Sequence, residues 1–234
     1  MPTMKFRQRM PMVRKVMVLT HSAGFVHDYL PAAQRAIREM GGRSGEFEVV
    51  AYGDCSQVKW SALKEFKAVV FATTGELPMS DGDKKSFIDA IKSGVGFVGI
   101  HNATDTFYKF PEYGQMLGGY FNGHPWTQEV VATVEDNKHP ATEHLGKSFR
   151  VKEEVYTYKD WSRTRARVLI SLDNGSVDLS KGNRLDKDYA LCWCHEFGKG
   201  RVFYTGFGHF PELWGEEWFR KHLLAGILWS MGAE

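Results

Sequence analysis

Four histidines stand where short apolar runs end or chain turns are punctuated by glycine. His21 follows residues 16–19, His101 follows 95–100, His209 follows 201–205, and His124 lies in the loop 118–125, which reads GGYFNGHP. Imidazole is the side chain whose ordinary pKa lies nearest neutrality, and it is also the commonest metal ligand. Asp105 lies four residues beyond His101, where a carboxylate can orient an imidazole, move a proton, ligate a metal or cap the segment that follows. Of the pair Glu153 and Glu154, strand alternation turns only one toward a common pocket, and Glu154 is assigned to it. The catalytic candidates are therefore His21, His101, Asp105 and His209. The metal-ligand candidates are His21, His101, His124, Glu154 and His209. Thr73 and Asn102, at the same strand exits, and His124 are candidate substrate contacts. Tyr113, Tyr120 and Trp126 would supply flat walls for a sugar-like ligand. The alternatives are a hydrogen-bonded loop network for the histidines and ordinary core packing for the aromatics.

Such a set meets only if the chain places its loops at one rim. Compact apolar segments at 16–19, 47–50, 68–72 and 95–100 read as buried strands. Between them, residues 29–40 carry helical apolar spacing ended by Gly41-Gly42, residues 60–66 a short helix, and residues 80–91 a helix with Asp81 and Asp83 near its start. Continuous apolar strands alternating with amphipathic helices predict a mostly parallel sheet covered on both faces. In such sheets ligands bind beyond the carboxyl ends of the strands. The middle is less regular, with strand candidates at 130–134, 149–151 and 167–172 that would form edge hairpins or an added lobe. Segments 189–194 and 201–205 flank Gly198-Lys199-Gly200 as a hairpin, and 218–231 reads as a closing helix. Residues 1–13 are expected to be a flexible tail and 14–232 one domain.

Composition excludes several classes. Thirty basic and 28 acidic residues leave a net charge of +2 with no Lys/Arg block, so nucleic acid is not an expected partner. The Met-rich start has no signal-peptide apolar core, and no run approaches the about 18 apolar residues of a membrane span. A cytoplasmic protein without a membrane partner is expected, and a homo-oligomer is compatible with the chain. Three cysteines make a poor disulfide framework. Cys192-Trp193-Cys194-His195 lacks a second cysteine pair, so a partly buried strand is preferred there to a zinc site. Cys55 has no elbow or evident base, and Walker, dinucleotide, HExxH and GxSxG motifs are absent from the sequence.

Residues 98–108 (VGIHNATDTFY), 113–114, 118–125, 139–142, 153–156 (EEVY) and 200–209 (GRVFYTGFGH) together resemble the ThuA-like, or trehalose-utilisation, family, in order over about 14–232. The resemblance implies a flavodoxin-like α/β fold with a mostly parallel sheet, helices on both faces and a class I glutamine-amidotransferase-like arrangement. It does not imply glutaminase chemistry, because the glycine-rich strand end reads Gly99-Ile100-His101-Asn102-Ala103, without the amidotransferase cysteine. The expected role is in carbohydrate metabolism. A sugar or keto-sugar would undergo hydrolysis, elimination or isomerisation, assisted by a divalent metal, zinc first, or by histidines alone. The rival reading is a noncatalytic carbohydrate-binding or regulatory module on the same scaffold.

Overall fold

The computed structural model describes residues 13–232, so nearly all of the expected tail lies outside the described residues. The strands are β1 (Lys15–Leu19), β2 (Glu48–Tyr52), β3 (Ala68–Phe71), β4 (Gly96–Ile100), β5 (Tyr120–Phe121), β6 (Trp126–Val134), β7 (Ser148–Val155), β8 (Tyr158–Lys159), β9 (Arg167–Leu172), β10 (Ala190–Phe197) and β11 (Gly200–Thr205). The helices are α1 (Leu30–Ser44), α2 (Asp81–Lys92), α3 (Pro111–Leu117) and α4 (Glu217–Ser230). Nine strands form one sheet in the order β2-β1-β3-β4-β11-β10-β9-β6-β7. The first five are mutually parallel. Their order is the flavodoxin-like 2-1-3-4-5, with β11 as the fifth strand. The other four extend the sheet by antiparallel pairing. The irregular middle of the sequence is thus the antiparallel wing of the same sheet.

Alternation along the strands divides the interior. Val16 and Val18 of β1 join α1 and α4 in one core, whereas Met17 and Leu19 join α2 and α3 in the other. Both faces of a parallel sheet need such cover, which explains the unbroken apolar strands. Cys192 and Cys194 point to the first core and Trp193 to the second, as alternation requires. All three cysteines are free and buried.

Helix α2 begins where the sequence implies, with Ser80 Oγ accepting from the Asp83 N–H at 3.1 Å. Helix α1 does not stop at Gly41-Gly42. It continues to Ser44 and closes on Gly45, at φ +69°, whose N–H bonds the Gly41 carbonyl. Gly41 serves packing instead, since a Cβ there would lie 2.8 Å from a Phe47 ring carbon. Among the described residues no helix is long and apolar enough to cross a membrane.

Candidate functional site

The site forms where the loops after β1, β4 and β11 meet the end of β7. His101 is the first residue beyond β4 and has φ +42°, a conformation costing a non-glycine residue about 1–3 kcal/mol. Its surroundings hold it there. Its carbonyl accepts from Tyr204 Oη at 2.7 Å, its Nδ1–H donates to the Gly206 carbonyl at 2.9 Å, and its ring lies 4.1 Å from that of Tyr156. His209 follows Gly208, which sits at φ +119° against Trp214 and Ile100. The buried Glu153 carboxylate accepts from the Gly208 and His209 backbone N–H groups, both at 3.0 Å, and so fixes this turn from beneath.

His27 comes from the loop between β1 and α1. Ala23 N–H donates to the Thr74 carbonyl and Thr74 Oγ1 to the Phe25 carbonyl, both at 2.8 Å. A Cβ at Gly75 would lie 2.7 Å from Gly24 N, so glycine alone lets these two strand exits press together. The loop therefore returns His27 to the rim, with the ring 5.2 Å from His101 and 5.5 Å from His209.

His27, His101, Glu154 and His209 each present one donor atom within 4.8 Å of the others. Glu154 Oε2 lies 3.0 Å from His209 Nδ1 and 3.4 Å from His101 Nε2, and its Oε1 lies 3.3 Å from His124 Nδ1. Because His101 commits its Nδ1 proton to Gly206, its Nε2 faces Glu154 as a lone pair. Two acceptors confronting each other at this distance call for a shared positive charge, either the His209 proton or a cation. Three imidazoles and one carboxylate suit zinc and other borderline divalent ions. The hydrogen bond that His101 donates to the Gly206 carbonyl is the orienting contact such a ligand requires, and Glu153 holds the backbone that carries His209.

Burial draws the His27 pKa down to about 3, and the neighbouring His101 and His209 act the same way. Burial also lowers that of His101. At His209 burial opposes the charged form, but the Glu154 hydrogen bond and charge outweigh it and raise the pKa. Glu154 is opposed by burial too, yet the hydrogen bond and charge of His209 hold it well below the usual carboxylate range. Burial pushes Glu153 up to about 7 despite its three backbone donors. At neutral pH the cluster thus combines neutral His27 and His101 with an ionised Glu154.

Above the cluster lies a cavity of about 480 Å3. His27, Glu154 and His209 form its floor, Phe25, Phe121 and Tyr156 its apolar walls, and Asp105 and His124 its remaining polar groups. Asp105 accepts from Tyr108 Oη at 2.6 Å, and burial raises its pKa.

The structure revises the sequence-based site. His21 does not join it. Its Nδ1 accepts from Cys55 N–H at 3.0 Å beside Asp54, in a separate group of side chains, and His27 takes the place expected of it. His124 adjoins Glu154 but stands outside the four-donor set. Asn102 is buried beneath the site, between Tyr29 Oη at 2.5 Å and His27 Nδ1 at 3.1 Å, and cannot touch a substrate in the cavity. Thr73 is buried with its hydroxyl on Thr106. Tyr113 donates to the Ala103 carbonyl, Tyr120 to the Phe110 carbonyl and Trp126 to the Asp178 carbonyl. All three are core residues, and Phe25, Phe121 and Tyr156 wall the cavity instead. His27 is not legible from strand-end position, because it lies mid-loop, eight residues beyond β1, whereas His21 lies beside the strand end. The available signal was that residues 20–29 form one rim loop carrying two histidines.

These features define an α/β protein of flavodoxin-like sheet order with a polar site at the carboxyl ends of its parallel strands. The model of the family described as ThuA, trehalose utilisation, matches residues 15–230, and the chain belongs to that family. A putative ThuA-like protein from Bacteroides uniformis is 22% identical, with a TM-score of 0.76 over 96% of this chain and 95% of its own. Another from Parabacteroides merdae is 18% identical, with a TM-score of 0.71 over 94% and 91%. PurLQS from Thermotoga maritima shares the fold at 18% identity and a TM-score of 0.55, over 93% and 98%. No curated protein matches the chain.

Proposed function

We propose that the protein is a carbohydrate-modifying enzyme whose reaction centre is a divalent metal held by His27, His101, His209 and Glu154. The convergence of these four donors within 4.8 Å on the floor of the cavity carries the reading. The family's description as trehalose utilisation supports a sugar or keto-sugar substrate.

A bound divalent ion would polarise a carbonyl or hydroxyl oxygen and stabilise the negative charge that develops on it. The protein's own groups do the rest. Asp105 faces the cavity, is absent from the four-donor set and is hydrogen-bonded by Tyr108, which suits it to take a proton from the substrate or return one. His124 contributes a second polar group to the cavity, half-exposed and tethered by Glu154. Phe121 and Tyr156, with rings 4.4 Å apart, make that wall apolar. Proton abstraction next to a carbonyl, followed by elimination or isomerisation, needs only these parts, and hydrolysis would add a water.

Elemental analysis and turnover on glucosides and their keto forms test the proposal. The expected result is one divalent ion per chain, lost in H209A and E154A, with turnover abolished alongside. With the ion at about 100 times its dissociation constant, chelation should remove about 2.7 kcal/mol of stability and lower Tm by about 5–10 °C. Sugar binding without turnover would support the noncatalytic module, and failure to bind any divalent ion would overturn the metal reading.

A further inference from the structure

We propose that Phe25 is the stacking platform that seats an uncharged, hydroxylated ring over the histidine cluster. This rests on the carbohydrate reading above and adds to it the residue that orients the ligand and the charge class it selects.

Phe25 is among the few large apolar side chains left in solvent, 68% exposed, although it lies beside the most buried part of the rim. Its backbone is not loose. The Phe25 carbonyl accepts from Thr74 Oγ1 at 2.8 Å, and the preceding turn is bridged to the exit of β3 through Ser22 and Thr74. Its ring lies perpendicular to that of His27, 4.9 Å between centroids at 84°, and lines the cavity beside the cluster. A ring that is exposed yet held by a rigid loop loses little entropy on contacting a ligand, the property that makes aromatic side chains effective binding surfaces. Phe121, next to His124 and Tyr156, supplies a second aromatic wall of the same cavity.

A sugar ring matches this asymmetry. Its C–H face is apolar and suits an aromatic surface, while its hydroxyls point outward to acceptors such as Asp105, Glu154 and His124. No lysine or arginine is among the residues lining the cavity, and two carboxylates are. Apart from the proposed metal, which Glu154 helps to neutralise, a phosphate or carboxylate on the ligand would find no arginine fork or lysine there and would face the Asp105 carboxylate. The geometry therefore favours a free sugar over its phosphate.

Saturation-transfer NMR and dissociation constants for trehalose, glucose and glucose 6-phosphate, measured on zinc-loaded wild type, F25A, F25W and V26A, test this. F25A should weaken trehalose binding about tenfold, F25W should stay within about threefold, and V26A, the exposed neighbour, should match wild type. Zinc content and Tm should be the same in all four proteins, because the Phe25 side chain supports no core. Glucose 6-phosphate should bind more weakly than glucose. Unchanged trehalose binding in F25A, an equal loss in V26A, or tighter binding of the phosphate would overturn the platform while leaving the metal and carbohydrate reading intact. A zinc-loaded wild type that binds neither neutral sugar would overturn both.

Discussion

Truncating Glu153 should unsettle the site without removing any group that faces the cavity. In E153A the Gly208 and His209 N–H groups lose their acceptor inside the protein. Each orphaned buried donor costs about 1–3 kcal/mol, and the space left by the side chain adds about 2 kcal/mol. Acting the other way, burial has pushed the carboxyl pKa from 4.5 up to about 7, so relieving the ionised group returns up to about 3 kcal/mol. The net loss is about 1–5 kcal/mol, centred near 3, or about 6–12 °C in Tm for a chain of this size. The turn that carries His209 should relax with it. Loss of an orienting contact of this kind lowers metal affinity about 10–100-fold. E153Q, with the same shape and one remaining acceptor, should fall between E153A and wild type on both measures. Urea denaturation and competitive zinc titration read the two effects separately. An E153A protein with Tm within 2 °C and zinc affinity within about twofold of wild type would refute the assignment of Glu153 as the support of His209.

Two further outcomes follow from buried histidines. Asn102 Nδ2–H donates to His27 Nδ1, which puts the His27 proton on Nε2, beside Tyr156. A half-turn of the amide would instead accept from Nδ1–H and free Nε2 for a cation. N102D, which can only accept when ionised, should retain or raise zinc affinity, whereas N102L should lower it about 10–100-fold, and competition titration distinguishes them. Away from the site, His222 donates from Nδ1 to the Ala141 carbonyl and accepts at Nε2 from Thr205, and burial lowers its pKa to about 4. His139, buried against Phe203 and Trp229, is lowered to about 4 as well. Above pH 6.5 these rings are neutral whether the chain is folded or not. As pH falls from 6.5 toward 4 the unfolded chain takes up protons that the fold refuses, so stability declines by about 2 kcal/mol per ring at pH 5. Urea denaturation of H222Q at pH 7 and pH 5 should show a pH dependence smaller by about that amount, and an unchanged dependence would count against a neutral buried His222.

The parallel half of the sheet and its helices were legible in the sequence because apolar periodicity reports burial directly. Residues 16–19, 68–72 and 95–100 could be little else than strands covered on both faces. The start of α2 was legible too, since Asp81 and Asp83 mark it locally. The end of α1 was not, because Gly41 answers to Phe47 across the packing interface rather than to its own helix. His101, His209 and Glu154 could be picked out because each lies beside a strand end, where the α/β architecture fixes the rim. The choice between His21 and His27 could not. Both occupy one loop, and which ring reaches the cluster depends on how that loop closes against Thr74 and Gly75, far away in the chain. The aromatic walls were not legible for the same reason. Tyr113, Tyr120, Trp126, Phe25 and Phe121 differ in role only through their surroundings. Local pattern therefore determined the scaffold and the rim, because strand and helix periods are set by neighbouring residues. Tertiary structure alone decided which histidines share an acceptor and which aromatic rings face the cavity, because those contacts join segments that approach one another only after the sheet has closed.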